Sequence, residues 1–381
     1  PFQVPDRYFD KYKARGLDNR LASIYGMVES LDDCLGRLLA RLDALRLADD
    51  TIVVFLTDNG PNGARYNGSM RGQKGSVHEG GVRVPCFIRW PGRIRPGTVV
   101  KHLAAHIDLL PTLVSLTGVP KVREIRAAME SQPLDGMNLA PLLLANAQVR
   151  AWPDRPVFTF YGDNGAVRTV QYRLTVERQR VGLYDMLADP EQKRDLAREK
   201  PEVVRNLKAA YDAKRAEVDQ GLAGRLPIPV GYERRKLVEM PAVEGTWTGG
   251  LQLGGRHANN NWLTAWTRPE ATVTWDLDVV QAGPYEASLR YICPKEQVGA
   301  RLRLEAGDRS TEAVLDQPFE ANCVPSPDRV PREEVTERRW GVMPLGVLRL
   351  PKGRVRLTLR AVPKPGQAAM DIKSLRLRRA D

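Results

Sequence analysis

Cysteine and histidine are both scarce, with four of each in 381 residues. Cys34, Cys86, Cys293 and Cys323 lie far apart with no C-x-x-C pair, which argues against a metal–thiolate centre. Cys34 and Cys86 sit in apolar segments and read as core residues, while Cys293 and Cys323 leave open a disulfide in an exported protein. Long apolar runs are also missing. The longest uncharged, apolar-rich stretch, Gly136 to Val149, has 14 residues and contains a proline, whereas a membrane helix needs about 20. No membrane span is expected. An initiator Met and an apolar leader are absent as well: the chain opens on Pro1-Phe2-Gln3-Val4-Pro5 and reads as one whose beginning has been lost to processing or truncation. No internal repeat is evident.

What is present is an ordinary globular composition, 42% apolar and 27% charged, with chain enough for two to three domains of roughly 100–200 residues. A net charge of +12 favours anionic partners through long-range steering. The basic residues are scattered, and no groove-reading helix or stacking motif accompanies them, so nucleic acid is not expected as a partner.

Leu21, Ile24, Val28, Leu31, Leu35, Leu38, Leu42 and Leu45 step by three and four, the spacing of one face of a long amphipathic helix. The apolar, β-branched run Thr51 to Leu56 follows and reads as a strand buried on both faces, as in a parallel sheet covered by helices. In open α/β sheets ligands gather beyond the carboxyl ends of strands, which is where Asp58-Asn59-Gly60 falls. Gly60 to Gly81 carries seven glycines in 22 residues and is expected to be a long irregular loop. A strand over Val82 to Trp90, a helix over His106 to Leu116 and a second helix from Pro201 complete this part.

Residues 1–150 are thus expected to form an α/β domain, and 151–220 a small α+β subdomain. Residues 221–244, rich in proline and glycine, read as a linker. Beyond them the apolar period becomes two, as in Val273, Trp275, Leu277 and Val279, which predicts an antiparallel β-sandwich over 245–381.

Asp58 offers a carboxylate and Asn59 an amide oxygen, a pair suited to a hard cation such as Ca²⁺ or Mg²⁺. Taken alone, Asx-Gly reads first as a turn. Lys74, within Arg71-Gly72-Gln73-Lys74-Gly75, is a cation flanked by glycines that would let backbone approach an anion.

Pro1-Phe2-Gln3-Val4-Pro5, Asp58-Asn59-Gly60 after an apolar strand, and Arg71-Gly72-Gln73-Lys74 followed by His78-Glu79-Gly80-Gly81-Val82-Arg83-Val84-Pro85 together resemble the C-terminal half of the sulfatase family, arylsulfatase type. Trp90-Pro91-Gly92, Asp108-Leu109-Leu110-Pro111-Thr112-Leu113, Leu134-Asp135-Gly136, Leu183-Tyr184-Asp185 and Asp189-Pro190-Glu191 continue the resemblance in order to about residue 220. It implies an alkaline-phosphatase-like fold, hydrolysis of sulfate esters, Asp58 and Asn59 as two ligands of a single Ca²⁺, and Lys74 in contact with the sulfate.

His102 and His106 flank the implied pocket as candidates for substrate contact, with surface or capping roles as the alternative. His78 is expected to pack or meet solvent. The family's C/S-x-P-S/A-R motif, whose Cys or Ser becomes formylglycine, is absent, as is its early Asp pair; its His-x-Pro motif aligns with its proline on Pro1. The implication is an N-terminally truncated sulfatase that holds half a site and does not turn over substrate by itself.

Related phosphatases carry Asp-His-Gly where this chain has Asp58-Asn59-Gly60, so the amide favours one hard ion over a transition-metal pair. A phosphoesterase or phosphonate hydrolase of the same superfamily remains an alternative. The tail resembles the β-sandwich appendage of some bacterial arylsulfatases, through Trp275-Asp276-Leu277, Tyr291-Ile292-Cys293-Pro294 and Asp328-Arg329-Val330-Pro331-Arg332. A second alternative is a non-catalytic carbohydrate-binding protein, with Trp247, Trp262 or Trp266 as stacking platforms. The acid-free stretch from Gly341 to Met370 is expected to bias that module toward sulfated polymers. Partners implied are a sulfated small molecule or sulfated glycan, in a periplasmic or extracellular location.

Overall fold

The computed structural model describes residues 1–118, 134–144, 152–221, 224, 226–256, 260–320, 322–326, 328–332 and 334–380. The chain divides into two compact units, one formed by Pro1–Leu35 with Gly224–Asp381 and the other by Gly36–Ala223. His257 lies outside the described residues.

In the first unit α1 (Asp6–Lys13) and the start of α2 (Asn19–Ala44) bury Val4, Tyr8, Phe9 and Ala22. Arg329 holds this corner. Its Nη1 donates to the Val4 carbonyl at 2.7 Å, its guanidinium lies 4.3 Å over the Phe9 ring, and it pairs with Asp6. Asn19 Nδ2 donates in return to the Arg329 carbonyl at 3.1 Å. Residues 1–35 therefore join the sandwich unit, whereas the sequence suggests one domain over 1–150.

The second unit contains a two-stranded antiparallel ribbon, β1 (Val53–Leu56) and β2 (Cys86–Arg89), with Leu56 opposite Cys86. It also contains α3 (Glu79–Val82), α4 (Leu109–Thr117) and α5 (Ala140–Leu144). A four-stranded meander follows, β3 (Val157–Tyr161), β4 (Asn164–Arg168), β5 (Tyr172–Glu177) and β6 (Arg180–Asp185), packed against α6 (Pro201–Gly221). Val167, Leu174, Leu183 and Tyr211 form the centre of its core. Proline at the first position of α6 costs no hydrogen bond, since the first-turn amides have no partner within the helix.

The sandwich is built from β7 (Ile228–Val230), β8 (Leu237–Pro241), β9 (Thr246–Trp247), β10 (Gln252–Leu253), β11 (Leu263–Thr264), β12 (Thr272–Val279), β13 (Gly283–Ile292), β14 (Arg301–Ala306), β15 (Arg309–Val314), β16 (Gly341–Leu350), β17 (Gly353–Val362) and β18 (Asp371–Arg379). One sheet runs β10-β11-β18-β13-β16 with β8 beside β18; the other runs β15-β14-β17-β12-β7 with β9 beside β12. Alternation decides the faces: Val273, Trp275, Leu277 and Val279 of β12 point into the shared core with Leu289, Leu304, Leu357 and Leu375.

Several expectations change here. The stretch 221–244 is not a free linker, because β7 pairs in parallel with β12 and β8 pairs with β18. Its proline-rich composition suits an edge: Pro229 lies in β7, where a missing N–H breaks no interior ladder. β1 is not a doubly buried strand of a parallel sheet here, since among the described residues its one partner strand is antiparallel and Leu56 is exposed. The apolar stripe of α2 likewise stays open at Val28, Leu31, Leu38 and Leu45, and Cys34 and Cys86 are exposed rather than core. The described residues place no covering layer over these positions, which is why an apolar pattern here does not produce burial.

Trp262 and Trp266 are 4% and 0% exposed, so neither can stack on a glycan, and Trp247 packs half-buried against the core. Two arginines of the basic stretch of β17 are paired with neighbouring strands, Arg356 on Asp276 at 2.9 Å and Arg360 on Glu305 at 3.1 Å. Among the described residues no helix is long and apolar enough to cross a membrane.

Cys293 and Cys323 are separate thiols. Cys293 is buried, and burial pushes it up to about 11, whereas Cys323 is exposed. The thiolate is the reactive form, so a thiol reagent at pH 8 is expected to modify three of the four cysteines in the folded protein. Cys293 is expected to react only after unfolding. Four fast-reacting thiols, counted by absorbance, would contradict this packing.

Candidate functional site

β1 ends at Leu56 and delivers Asp58 and Asn59 to the start of the glycine-rich loop. Asp58 is exposed. Asn59 Nδ2 donates to the Gly60 carbonyl at 2.9 Å, which engages the amide nitrogen and leaves Oδ1 as the acceptor that could meet a cation. The loop then doubles back. The Gly60 amide donates to the Gly81 carbonyl at 2.8 Å, and the Lys74 amide donates to the Pro61 carbonyl at 3.0 Å. These two bonds bring the Lys74 backbone against Pro61, two residues after Asn59, across a separation of 13 positions in the chain. Lys74 is exposed, and among the described residues no carboxylate pairs with it.

Glycine is required at the crossing. A Cβ on Gly60 would lie 1.9 Å from the Gly80 carbonyl oxygen, and one on Gly81 would lie 2.1 Å from that of Ser76. Backbone packed this closely explains the glycine density better than flexibility does.

Beneath the loop lies a buried polar cluster. Arg173 Nη2 donates to Glu79 Oε2 at 2.5 Å, its Nη1 donates to the Val77 carbonyl at 2.9 Å, and the Arg168 Nε stands 3.6 Å from the same carboxylate. The Glu79 amide donates to Gln192 Oε1 at 2.9 Å. The other end of that amide, Nε2, donates to His78 Nδ1 at 3.0 Å. His78 Nε2 is therefore the protonated nitrogen and donates to Glu177 Oε2 at 3.1 Å. The ring meets Tyr184 edge-on, and Arg71 Nη1 donates to the Tyr184 hydroxyl at 3.0 Å and the Gln192 carbonyl at 3.2 Å. Gln192 holds a φ of +58°, rare for a residue with a side chain, while buried to 1% exposure. His78 packs, as expected.

A second buried knot secures the following segment. Asp108 is fully buried and accepts from the Ala105 amide at 2.8 Å, the Met137 amide at 2.7 Å and the Arg155 guanidinium. Thr112 Oγ1 donates to the Asp108 carbonyl at 2.6 Å and accepts from the Leu139 amide at 2.8 Å. The Asp108–Leu113 and Leu134–Gly136 motifs thus meet as one structural unit. His102 and His106 are both exposed; His102 lies edge-on to Trp152 at 5.8 Å. Among the described residues no hydrogen bond or ion pair joins either histidine to Asp58 or Lys74.

Sequence reasoning missed Arg173, Gln192 and Arg71 as the supports of the loop. The one local signal was the Asp189-Pro190-Glu191 turn immediately before Gln192.

A sulfatase family model matches residues 1–119, and a model described as N-sulphoglucosamine sulphohydrolase, C-terminal, matches residues 73–217. Residues 1–217 belong to the sulfatase family. It is 37% identical to arylsulfatase A of Homo sapiens over 171 residues, 42% of this chain and 31% of that protein. It is 35% identical to N-acetylgalactosamine-6-sulfatase of Canis lupus familiaris over 153 residues, 38% of this chain and 27% of that protein. The chain thus spans under a third of the length of these curated relatives.

Among solved structures, the complex of Ps i-CgsB with k-i-k-neocarrahexaose is 27% identical and covers 56% of this chain and 47% of its own, with a TM-score of 0.49. Both family matches end by residue 217, so the sandwich lies outside them.

The donor set suits the family's hard cation in part. Asp58 and Asn59 offer two oxygen donors, whereas Ca²⁺ takes about 6–8. Among the described residues no group of three or more His, Cys, Asp or Glu side chains could complete a site.

Two outcomes are expected from the buried cluster. Glu79→Ala leaves Arg173 charged and unpaired in the interior and should cost about 3–5 kcal/mol in urea unfolding; a loss below 1 kcal/mol would show that the pair does not hold the loop. Burial, aided by the Arg71 cation and opposed by Glu177, sets the His78 pKa below its ordinary value near 6.5. As pH falls through that value the unfolded chain takes up a proton that the folded ring resists, so stability is lost below neutrality. Melting curves at pH 7.5 and pH 5 should show a drop that His78→Gln reduces; an unchanged drop would rule out this histidine as its source.

Proposed function

We propose that the complete gene product hydrolyses sulfate esters, and that this chain supplies the part of its site that neutralises the sulfate. The observation that carries the reading is the closure of the loop by the Gly60–Gly81 and Lys74–Pro61 backbone bonds, which supports a site in which the exposed Lys74 and the Asp58-Asn59 pair act on one ligand. A sulfate ester develops negative charge on its oxygens as the S–O bond breaks, and a fixed ammonium stabilises that charge without reorganisation. Asp58 Oδ and Asn59 Oδ1 would contribute to holding one Ca²⁺, which when bound supplies further positive charge to the sulfate oxygens. The family resemblance assigns the formylglycine nucleophile to residues outside this chain.

The protein's own contribution is rigidity. Lys74 projects from a loop whose backbone is tied at both ends and whose base is the buried Glu79–Arg173 pair. Asn59 at this position, rather than histidine, supports one hard ion and sulfate chemistry over phosphate transfer by a transition-metal pair. The relatives' names, arylsulfatase A and N-acetylgalactosamine-6-sulfatase, support aryl or sugar sulfates as substrates. Among the histidines, His102 and His106 are the candidates for contacts farther from the sulfate, and export is the location that the family supports.

Lys74→Ala and Asp58→Ala in the complete gene product should each lower kcat/KM for an aryl sulfate by about 10²–10³. Both side chains are exposed, so the melting temperature should hardly move. Undiminished turnover in both variants would remove the assigned roles.

A further inference from the structure

Tyr161 is the last residue of β3 and is 61% exposed. A single exposed aromatic needs no explanation by itself; its placement does. The position that a Cβ would occupy on Gly75, the residue after Lys74, lies 3.7 Å from Cε1, Cζ and the hydroxyl oxygen of the Tyr161 ring. The ring edge therefore lies in contact range of the stretch of loop that presents the ammonium. Gly75 has a φ of +85°, so a side chain is disfavoured there and nothing separates ring from backbone.

The hairpin that carries the ring is anchored. Tyr161 pairs with Asn164 across a two-residue turn at Gly162 and Asp163, with Gly162 at a φ of +56°. Arg215 Nη1 donates to the Gly162 carbonyl at 2.8 Å, and the Arg178 amide donates to Asn164 Oδ1 at 3.0 Å, tying the turn to α6 and to the β5–β6 turn. The preceding residue, Phe160, packs against Tyr211 of α6 with ring centroids 5.5 Å apart. A hairpin anchored at this many points presents the ring from a backbone with little ordering entropy left to lose on binding.

We propose that Tyr161 is a substrate-contacting residue: its ring receives the ring-shaped alcohol portion of the sulfate ester while Lys74 takes the sulfate. The inference rests on the proposed sulfate-ester chemistry at Lys74. A phenol ring and the C–H face of a pyranose share the chemistry that an aromatic wall recognises, a flat apolar face with polar edges. An unbranched alkyl sulfate lacks that face. Inorganic sulfate lacks it too and should be bound through the Lys74 side alone.

The test uses the complete gene product with 4-nitrophenyl sulfate, glucosamine-6-sulfate and an alkyl sulfate as substrates, and inorganic sulfate as a competitive inhibitor. Tyr161→Ala should raise KM about tenfold for at least one of the two ring-bearing esters. It should leave kcat, the KM of the alkyl ester and the inhibition constant of sulfate unchanged. Tyr161→Phe keeps the face and should stay near wild type.

A rise in KM confined to the aryl ester identifies aryl sulfates as the ligands of the wall, and one confined to the sugar ester identifies sugar sulfates. Unchanged KM for both overturns the proposal. A parallel rise in the sulfate inhibition constant also overturns it, because the ring would then be shaping the loop rather than touching substrate. Lys74→Ala separates the two claims: if it leaves the sulfate inhibition constant and turnover intact, the sulfate-ester reading itself has failed, whatever Tyr161 does.

Discussion

The candidate site stands on one buried ion pair, Glu79 with Arg173. Two charges taken out of water are costly unless their geometry and remaining hydrogen bonds are satisfied, so such a pair tolerates few arrangements of the backbone around it. Here Arg173 also binds the Val77 carbonyl, and the Glu79 amide is taken by Gln192. One strand of the four-stranded meander thereby dictates where the end of a long irregular loop must sit. Lys74 gains its position from this arrangement without taking part in it. The pair's worth lies in selecting one placement of the loop, more than in the net energy of burying charge.

The glycines complete that constraint from the other side. Where Gly60 approaches Gly80 and Gly81 approaches Ser76, backbone meets backbone at distances no side chain could share. A 22-residue irregular segment would ordinarily forfeit much conformational entropy on ordering. It is fixed here by main-chain bonds on its inner edge and by a satisfied polar cluster below, so its outer edge can carry unpaired charged groups. Asp58 and Lys74 are solvent-facing groups on a stiff support, an arrangement suited to electrostatic work that must not be lost to reorganisation.

Much of this was legible from the residues, and the limits follow a physical line. The three-and-four stepping of Leu21 to Leu45 gives a helix at Asn19–Ala44, and the period of two beyond residue 245 gives the sandwich strands, because both are local repeats. Asp58, Asn59 and Lys74 could be named from composition and resemblance, but the backbone approach of Lys74 to Pro61 is a bond that no periodicity announces. Arg173 and Gln192 were invisible for the same reason: they reach Glu79 across 94 and 113 residues. Burial was misjudged at Cys34, Cys86, Trp262 and Trp266, since an apolar neighbourhood in sequence does not say which layer covers it. The prolines of 221–244 misled in the opposite sense, as edge strands accept them as readily as linkers do.

The Arg329 corner bears on how the chain comes to fold. Its bond to the Val4 carbonyl closes 325 residues, so the first helix emerges from the ribosome long before the arginine that will secure it. Synthesis at about 5–20 residues per second leaves Phe9 and its neighbours waiting tens of seconds for their partner. α1 is thus made well before the contact that secures it, and during that interval its apolar side chains depend on transient shelter rather than on native contacts.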